Sequence, residues 1–199
     1  MINLNGSEFN SPAVAIFNNG VAGRVDNVSI SVQKKSPEEA DNAPAYKVIF
    51  TDSIGSINMG IYYPTDQSTD GQNKLLAQKC ADLTKSVMGD DFTFPEFSTY
   101  KELVDFCMKT IAQNSENAKV NIVATYGTVG APKKYLGVYK GYNFVEKTGT
   151  NPTKLRITNN PNKPQYNDLL ERIVEDQPQS ENNPFENASS VTKQDVDWI

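Results

Sequence analysis

The fold of this chain is decided by residues 45–63, which read AYKVIFTDSIGSINMGIYY. Apolar residues alternate with polar ones on both sides of the polar segment from Asp52 to Ser56. Such alternation is typical of strands with one buried and one exposed face. Short connections rich in Gly, Ser and Asp join consecutive antiparallel strands. The stretch therefore predicts a hairpin with strands over residues 45–51 and 57–63.

The same alternation appears on both sides of this hairpin. Upstream, residues 21–35 place Val28, Ile30 and Val32 between polar neighbours, which predicts a first strand. Further along the chain, beyond a segment with a different period, the alternation returns in two strands. The two strands are predicted at residues 119–126 and 135–145, and the loop between them at residues 127–134.

The segment between the third and fourth strands has the apolar period of amphipathic helices. The first predicted helix carries, at four-residue spacing, Leu75, Lys79, Leu83 and Val87. The second is predicted to begin at Ser98, a suitable N-cap, and to end near Asn114. Three strands, a helical insertion and two further strands form the element order of an OB-fold, a five-stranded Greek-key barrel. The predicted class is mainly β (α+β), with a two-helix insertion.

Charge is distributed unevenly along the 199 residues. Residues 175–199 contain six acidic residues and one basic residue, Lys193, so they carry the whole net charge of −5. The remaining 174 residues hold 18 acidic and 18 basic residues, a balance that allows a basic face towards phosphate groups. The polar C-terminal stretch cannot bury enough apolar area to offset its ordering entropy. One domain over residues 1–174 and a disordered acidic tail over 175–199 are therefore predicted.

Several classes of chemistry lack the residues that they need. The chain has no histidine, the commonest general base and transition-metal ligand. Cys80 and Cys107 lie in the predicted helices without a CxxC spacing, and are interpreted as buried apolar residues. The 127–134 loop lacks the Gly-Lys-Ser/Thr ending of a P-loop. No enzyme activity, cofactor or metal site is expected.

The N-terminal residues lack a basic segment followed by an apolar run, and no stretch has the apolar length of a membrane span. We therefore expect a cytoplasmic protein without a membrane partner, in the host cytoplasm if the protein is viral.

Tyrosines and lysines are interleaved at the ends of the predicted strands. Nucleobases stack on aromatic rings while lysines contact the phosphates, so this pattern is typical of single-stranded nucleic-acid binding. The alternative for each tyrosine is a buried ring with a satisfied hydroxyl. Alternation favours Tyr62, Tyr135 and Tyr139 as outward-facing stacking residues. The full set of predicted nucleic-acid-binding residues is Lys34, Lys35, Tyr46, Lys47, Tyr62, Lys133, Lys134, Tyr135, Tyr139 and Lys140.

The C-terminal region adds two expectations. Leu169, Leu170 and Ile173 favour a short helix over residues 166–174. The chain ends in an acidic and apolar peptide, which suits an apolar pocket rimmed by basic residues on a partner protein. The alternatives are a fraying terminus and a polyanion that occupies the chain's own basic groove. The predicted partner-binding residues are Asp195, Asp197, Trp198 and Ile199.

The predicted OB order over residues 21–145, the aromatic segments 46–63 and 135–144, and the Asp195–Ile199 ending together resemble the bacteriophage-type single-stranded DNA-binding proteins. The resemblance implies a protein that coats single-stranded DNA in replication, recombination and repair. It also implies an acidic tail that recruits polymerase and helicase-primase while competing with DNA for the groove. Several members of that family dimerise, so a homodimer is among the expectations. The neutral body and the longer helical insertion depart from the family.

Two other classes remain open on the sequence alone. A viral structural or assembly protein can have the same strands and helices, and would form large assemblies without binding DNA. A replication adaptor would use the same tail and bind protein through its folded domain. Salt-dependent oligonucleotide binding distinguishes DNA binding from both.

Overall fold

The computed structural model describes residues 16–138 and 143–172. Its strands are β1 (Gly23–Lys34), β2 (Tyr46–Thr51), β3 (Ser56–Ile61), β4 (Lys119–Thr128), β5 (Ala131–Val138) and β6 (Val145–Lys147). Its α-helices are α1 (Asp70–Met88) and α2 (Tyr100–Asn114), and 3-10 turns span Phe17–Gly20 and Pro164–Tyr166. A mainly β chain with two helices after the third strand is confirmed.

The strands form one antiparallel sheet in the spatial order β3-β2-β1-β4-β5, with β6 also paired to β4. β1 lies along one side of β4, and the other side is shared by β6 near Ile122 and by β5 from Ala124 onwards. The edge strands β3 and β5 lie close together, although no ladder joins them among the described residues. The sheet is therefore open but strongly curved. Within residues 16–138 and 143–172 it has six strands where five were predicted, because the predicted 135–145 strand contributes to both β5 and β6.

The core lies between one face of this sheet and the helical pair. The burial pattern of β2 alternates as predicted, with Tyr46, Val48 and Phe50 on the buried face. Cross-strand pairing places Gln33, Lys47 and Gly60 together on the opposite face. Residues at the centre of the core come from β1, β2 and α2 and are fully buried: Val28, Ile30, Val48, Phe50, Met108 and Ile111.

Both helices begin at threonine caps. The Thr69 hydroxyl accepts from the Gln72 backbone N–H, and the Gln72 side chain accepts from the Thr69 N–H, which forms a capping box before α1. α2 begins after Thr99, because the Thr99 hydroxyl accepts from the Glu102 N–H. The predicted cap at Ser98 is wrong by one residue. Within residues 16–138 and 143–172, neither helix is long and apolar enough to cross a bilayer.

The connection between β4 and β5 is shorter than predicted. β4 extends to Thr128 and β5 begins at Ala131, so Val129 and Gly130 form the turn. The predicted 127–134 loop is wrong, because this segment pairs almost to its tip, with Gly127 opposite Pro132. Gly127 adopts φ +85, and an added Cβ would lie 2.4 Å from the Ala131 carbonyl oxygen. This tight hairpin therefore depends on glycine at position 127.

Residues 155–172, here called the C-terminal strap, run against the β4–β5 hairpin. β1 pairs with β4 only as far as Ala124, which leaves the end of β4 without a neighbour on that side. The strap takes this place, since the Tyr126 N–H donates to the Leu169 carbonyl (2.8 Å) and the Leu169 N–H donates to the Gly127 carbonyl (3.1 Å). The predicted helix over 166–174 is wrong as far as residue 172, because the strap's backbone groups pair with the hairpin instead.

Candidate nucleic-acid interface

Tyr62 follows β3 directly and presents its ring to solvent, with 56% of the residue exposed. It lines two separate grooves. The position confirms the alternation argument, since Ile61 before it is buried in the core. An exposed ring between two grooves can accept a flat ligand such as a nucleobase.

The first groove, here called the edge cleft, lies between the edge strands β3 and β5 and has a volume of about 730 Å³. Asn58, Gly60 and Tyr62 line it from the β3 side, and Lys133 lines it from β5. Leu75 and Lys79 of α1 and Tyr166 of the strap complete its walls. The cleft thus combines two tyrosine rings with two lysines.

The second groove, here called the loop cleft, lies between the β1–β2 loop and the segment after β3, with a volume of about 630 Å³. Lys34 and Lys35 line it together with Tyr62 and Tyr63. The Lys35 ammonium donates to the Asp41 carbonyl oxygen (3.3 Å), so this lysine also holds the loop that forms one wall. The loop cleft carries Glu39 and Asp41 as well, and is less basic than its lysines alone suggest.

Lys47 lies on the same face of the sheet as Gly60, but its charge is engaged. It forms an ion pair with Glu39, and a hydrogen bond from Lys47 is the largest cause that lowers the pKa of the Glu39 carboxyl. Lys47 therefore ties β2 to the β1–β2 loop.

Tyr46 is placed apart from the other predicted binding residues. It is only 7% exposed, on the buried face of β2, and its hydroxyl donates to an Asp105 carboxylate oxygen (2.7 Å). Burial first, and then the bond to Asp105, raise the pKa of this phenol. The structure gives Tyr46 the alternative role considered for each tyrosine, a core ring with a satisfied hydroxyl.

Tyr63, next to Tyr62, points the other way and joins Tyr46. Its hydroxyl donates to the same Asp105 oxygen, and the two rings meet edge to face with centroids 6.2 Å apart. Lys101 donates to the second Asp105 oxygen (2.9 Å) and lies 4.8 Å from the Tyr63 ring centroid. We call Tyr46, Tyr63, Lys101 and Asp105 the tyrosine anchor, since it fixes the end of β3 to α2.

The tyrosine anchor also favours the ionised form of Asp105. Burial alone would raise the pKa of this carboxyl, but hydrogen bonds from Lys101, Tyr63 and Tyr46 together lower it. Asp105 is thus a stable anion that accepts two phenol hydroxyls. Because the backbone at Tyr63 is fixed in this way, Tyr62 is held at the junction of the two grooves.

The β5 residues lie on a strand rather than in a loop. Lys133 lines the edge cleft, and Tyr135, on the same side of the strand by alternation, is 72% exposed. The Lys134 ammonium lies 5.6 Å from the Tyr135 ring centroid, within the range of a cation–π contact. Leu136 and Val138 face the core.

The structure therefore brings together Tyr62 with Lys34 and Lys35 in one groove, and Tyr62 with Lys133 in the other. Tyr135 and Lys134 extend the β5 side, whereas Tyr46 is buried. The remaining predicted residues lie outside the described residues: Tyr139, Lys140, Asp195, Asp197, Trp198 and Ile199.

Two cleft residues were missed by sequence reasoning. Lys79 interrupts the apolar stripe of α1 between Leu75 and Leu83, and this break in the pattern was a usable signal of a basic residue facing the sheet. Tyr166 comes from the strap, and only its aromatic character after Pro164 distinguished it. Its place in the cleft depends on long-range pairing that no local pattern reveals.

A further groove, of about 460 Å³, lies between α1, α2 and the segment that joins them. Residues 16–138 and 143–172 contain no group of three or more Cys, Asp or Glu residues that could hold a metal ion. The functional interpretation depends on the geometry given above, because no family model, no curated protein and no solved structure matches this chain.

Proposed function

We propose that this chain is a non-enzymatic protein that binds single-stranded DNA across the outer side of β3 and β5. The observation that carries the proposal is the position of Tyr62. Its exposed ring stands where two grooves meet, with Lys34 and Lys35 in one groove and Lys133 in the other.

The chemistry of this surface suits a single strand. A base stacks on an aromatic ring whatever its sequence, and each stacked base contributes about 1–3 kcal/mol. The phosphates on either side of that base would then lie near the lysines of the two grooves. Phosphate neutralisation releases counterions, so binding should weaken as salt concentration rises.

The sheet order supports a finer proposal for the fold. In an OB-fold, three strands, an insertion and two strands close into a barrel, and nucleic acid binds across strands two and three and the adjoining loops. The order β3-β2-β1-β4-β5, with β3 and β5 close together, is compatible with such a barrel. Tyr62 and the β1–β2 loop lie on the elements that bind ligands in that fold.

The tail adds partner recruitment to the proposal. In a phage-type protein of this class, the acidic ending with Trp198 and Ile199 would contact polymerase or helicase-primase during replication, recombination and repair. The same tail would compete with DNA for the lysines. Dimerisation is a further expectation from that class.

Fluorescence anisotropy of a labelled poly-dT oligonucleotide tests the proposal, with the full chain and a 1–174 truncation at low and moderate salt. We expect salt-sensitive binding that tightens when the acidic tail is removed. Unchanged affinity after truncation would contradict the competition between tail and DNA, but not DNA binding itself. Absence of binding by both forms would contradict DNA binding, and would favour a viral structural protein or a protein-binding adaptor.

A further inference from the structure

The C-terminal strap is tied to the tip of the β4–β5 hairpin by backbone hydrogen bonds. The Gly130 N–H donates to the Gln165 carbonyl (2.9 Å), and the Val129 N–H donates to the Asn167 carbonyl (3.0 Å). The strap is also bonded to itself, since the Thr158 N–H donates to the Asp168 carboxylate (2.6 Å). It therefore holds the residues between these bonds in a defined position.

Tyr166 lies within this tied segment and is 60% exposed. It lines the edge cleft together with Tyr62, although the two rings come from elements about 100 residues apart in the chain. The cleft volume of about 730 Å³ falls within the range of about 300–1,000 Å³ that is typical of small-molecule sites. It is therefore large enough to admit a nucleobase.

We infer that the edge cleft takes in at least one base of the bound strand, held by Tyr62 and Tyr166, with the phosphates of that nucleotide beside Lys79 and Lys133. This inference rests on the proposed function and gives the strap a binding role. A base in Watson–Crick pairing is stacked within a duplex, so this mode of binding selects single strands.

Close contact between hairpin and strap supplies an independent way to move Tyr166. A Cβ added at Gly130 would lie 3.0 Å from both the Cβ and the carbonyl oxygen of Gln165, which is tighter than an ordinary contact. A Cβ added at Gly137, in the same hairpin, would have no atom within 4 Å. Gly130→Ala should therefore displace the strap beside Tyr166, whereas Gly137→Ala should not.

The test uses the full chain and two labelled oligonucleotides of equal length, dT and an abasic chain with the same phosphates. We expect Tyr166→Leu to weaken dT binding about tenfold, a loss within the range for one stacked base, and to leave abasic binding unchanged. Tyr166→Phe should retain dT binding, since the ring remains. Gly130→Ala should weaken dT binding relative to Gly137→Ala.

The outcomes separate this inference from the proposed function. Equal dT affinity for the wild type, Tyr166→Leu and Tyr166→Phe would overturn the role of the strap while leaving DNA binding in place. Equal losses on dT and abasic chains would also overturn it, because the effect would then not involve a base. If the wild type bound neither oligonucleotide, the proposed function itself would fail. Thermal unfolding of each variant identifies any loss caused by misfolding.

Discussion

Tyr62 and Tyr63 are neighbours in the chain, yet the two sides of the sheet give them opposite roles. Tyr62 is exposed and lines both grooves, whereas Tyr63 is half-buried, lines the loop cleft and donates its hydroxyl to Asp105 beside Tyr46. Both are amphipathic rings with one hydroxyl. Alternation along the strand sets the side of the sheet on which each ring lies, and the half-buried Asp105 carboxylate then gives the inward-facing ring a structural role.

Substitution of Tyr46 should give the largest difference in stability between the buried and the outer side of the sheet. Removing a buried ring leaves a cavity, so Tyr46→Ala should lower the free energy of unfolding by about 3–5 kcal/mol. Tyr62→Ala, an exposed substitution, should change it by no more than about 0.5 kcal/mol. Urea denaturation followed by circular dichroism measures both. Similar losses for the two variants would contradict the division into structural and binding sides.

The carboxylate of the tyrosine anchor should have the next largest effect. Asp105→Ala leaves the Tyr46 and Tyr63 hydroxyls without their acceptor, which should lower the free energy of unfolding by about 2–3 kcal/mol. Asp91→Ala, at an exposed acid in the loop before α2, is the matched control and should have little effect. Urea denaturation again provides the measurement. Equal stability of the two variants would mean that the anchor does not hold β3 to α2.

On the outer side, the stacking role of Tyr62 is tested by keeping an apolar side chain at this position while removing the ring. Tyr62→Leu should weaken dT-oligonucleotide binding by about 1–3 kcal/mol, because stacking is lost. Tyr62→Phe should bind almost as the wild type does. Anisotropy titrations at one salt concentration measure the difference. If Tyr62→Leu and Tyr62→Phe bind equally well, the ring at the groove junction does not stack.

A smaller effect is expected for a single phosphate contact. Lys133→Ala should reduce the slope of log affinity against log salt by about 0.7, the value for one contact to a single strand. Lys109→Ala, at an exposed position on α2, should leave the slope unchanged. Titrations at four or more salt concentrations give the slope. An identical slope for both variants would remove Lys133 from the interface.

The pH dependence of stability should show the smallest effect. Because the folded-state pKa of Asp105 is lowered, its contribution to stability is complete above the ordinary carboxyl pKa of about 3.9. It is lost as pH falls below that value and through the folded-state pKa. Urea midpoints measured from pH 6 down to pH 3 should therefore fall less steeply for Asp105→Asn than for the wild type. Parallel curves would contradict the shift.

The strands could be predicted where the burial of each side chain follows from its place in the alternating pattern. Alternation was enough to predict that β2 has two different faces and to place Tyr62 outside the core. The helices followed from their apolar stripes, although the cap of α2 is Thr99 and not the predicted Ser98. Local pattern is informative when one face of an element is buried and the other is not.

The remaining parts of the site depend on contacts that are distant in sequence. The strap has no apolar period, and its position follows from backbone groups that β1 leaves unpaired at the end of β4. β4 is likewise buried on both faces because segments distant in sequence pack on it. Tyr166 was missed for this reason. The structural role of Tyr46 could not be predicted without knowing that its hydroxyl donates to Asp105 of α2.

The pairing of β1 with β4 has a consequence for synthesis of the chain on the ribosome. Val25 lies opposite Ile122, so the partner strand emerges almost 100 residues after β1. At about 5–20 residues per second, the roughly 60 residues between β3 and β4 take about 3–12 s, during which the completed β1–β2–β3 meander exposes its β1 edge. An exposed edge is a template for aggregation. The helical insertion is made during this interval and is the first partner available to shield the meander's apolar face.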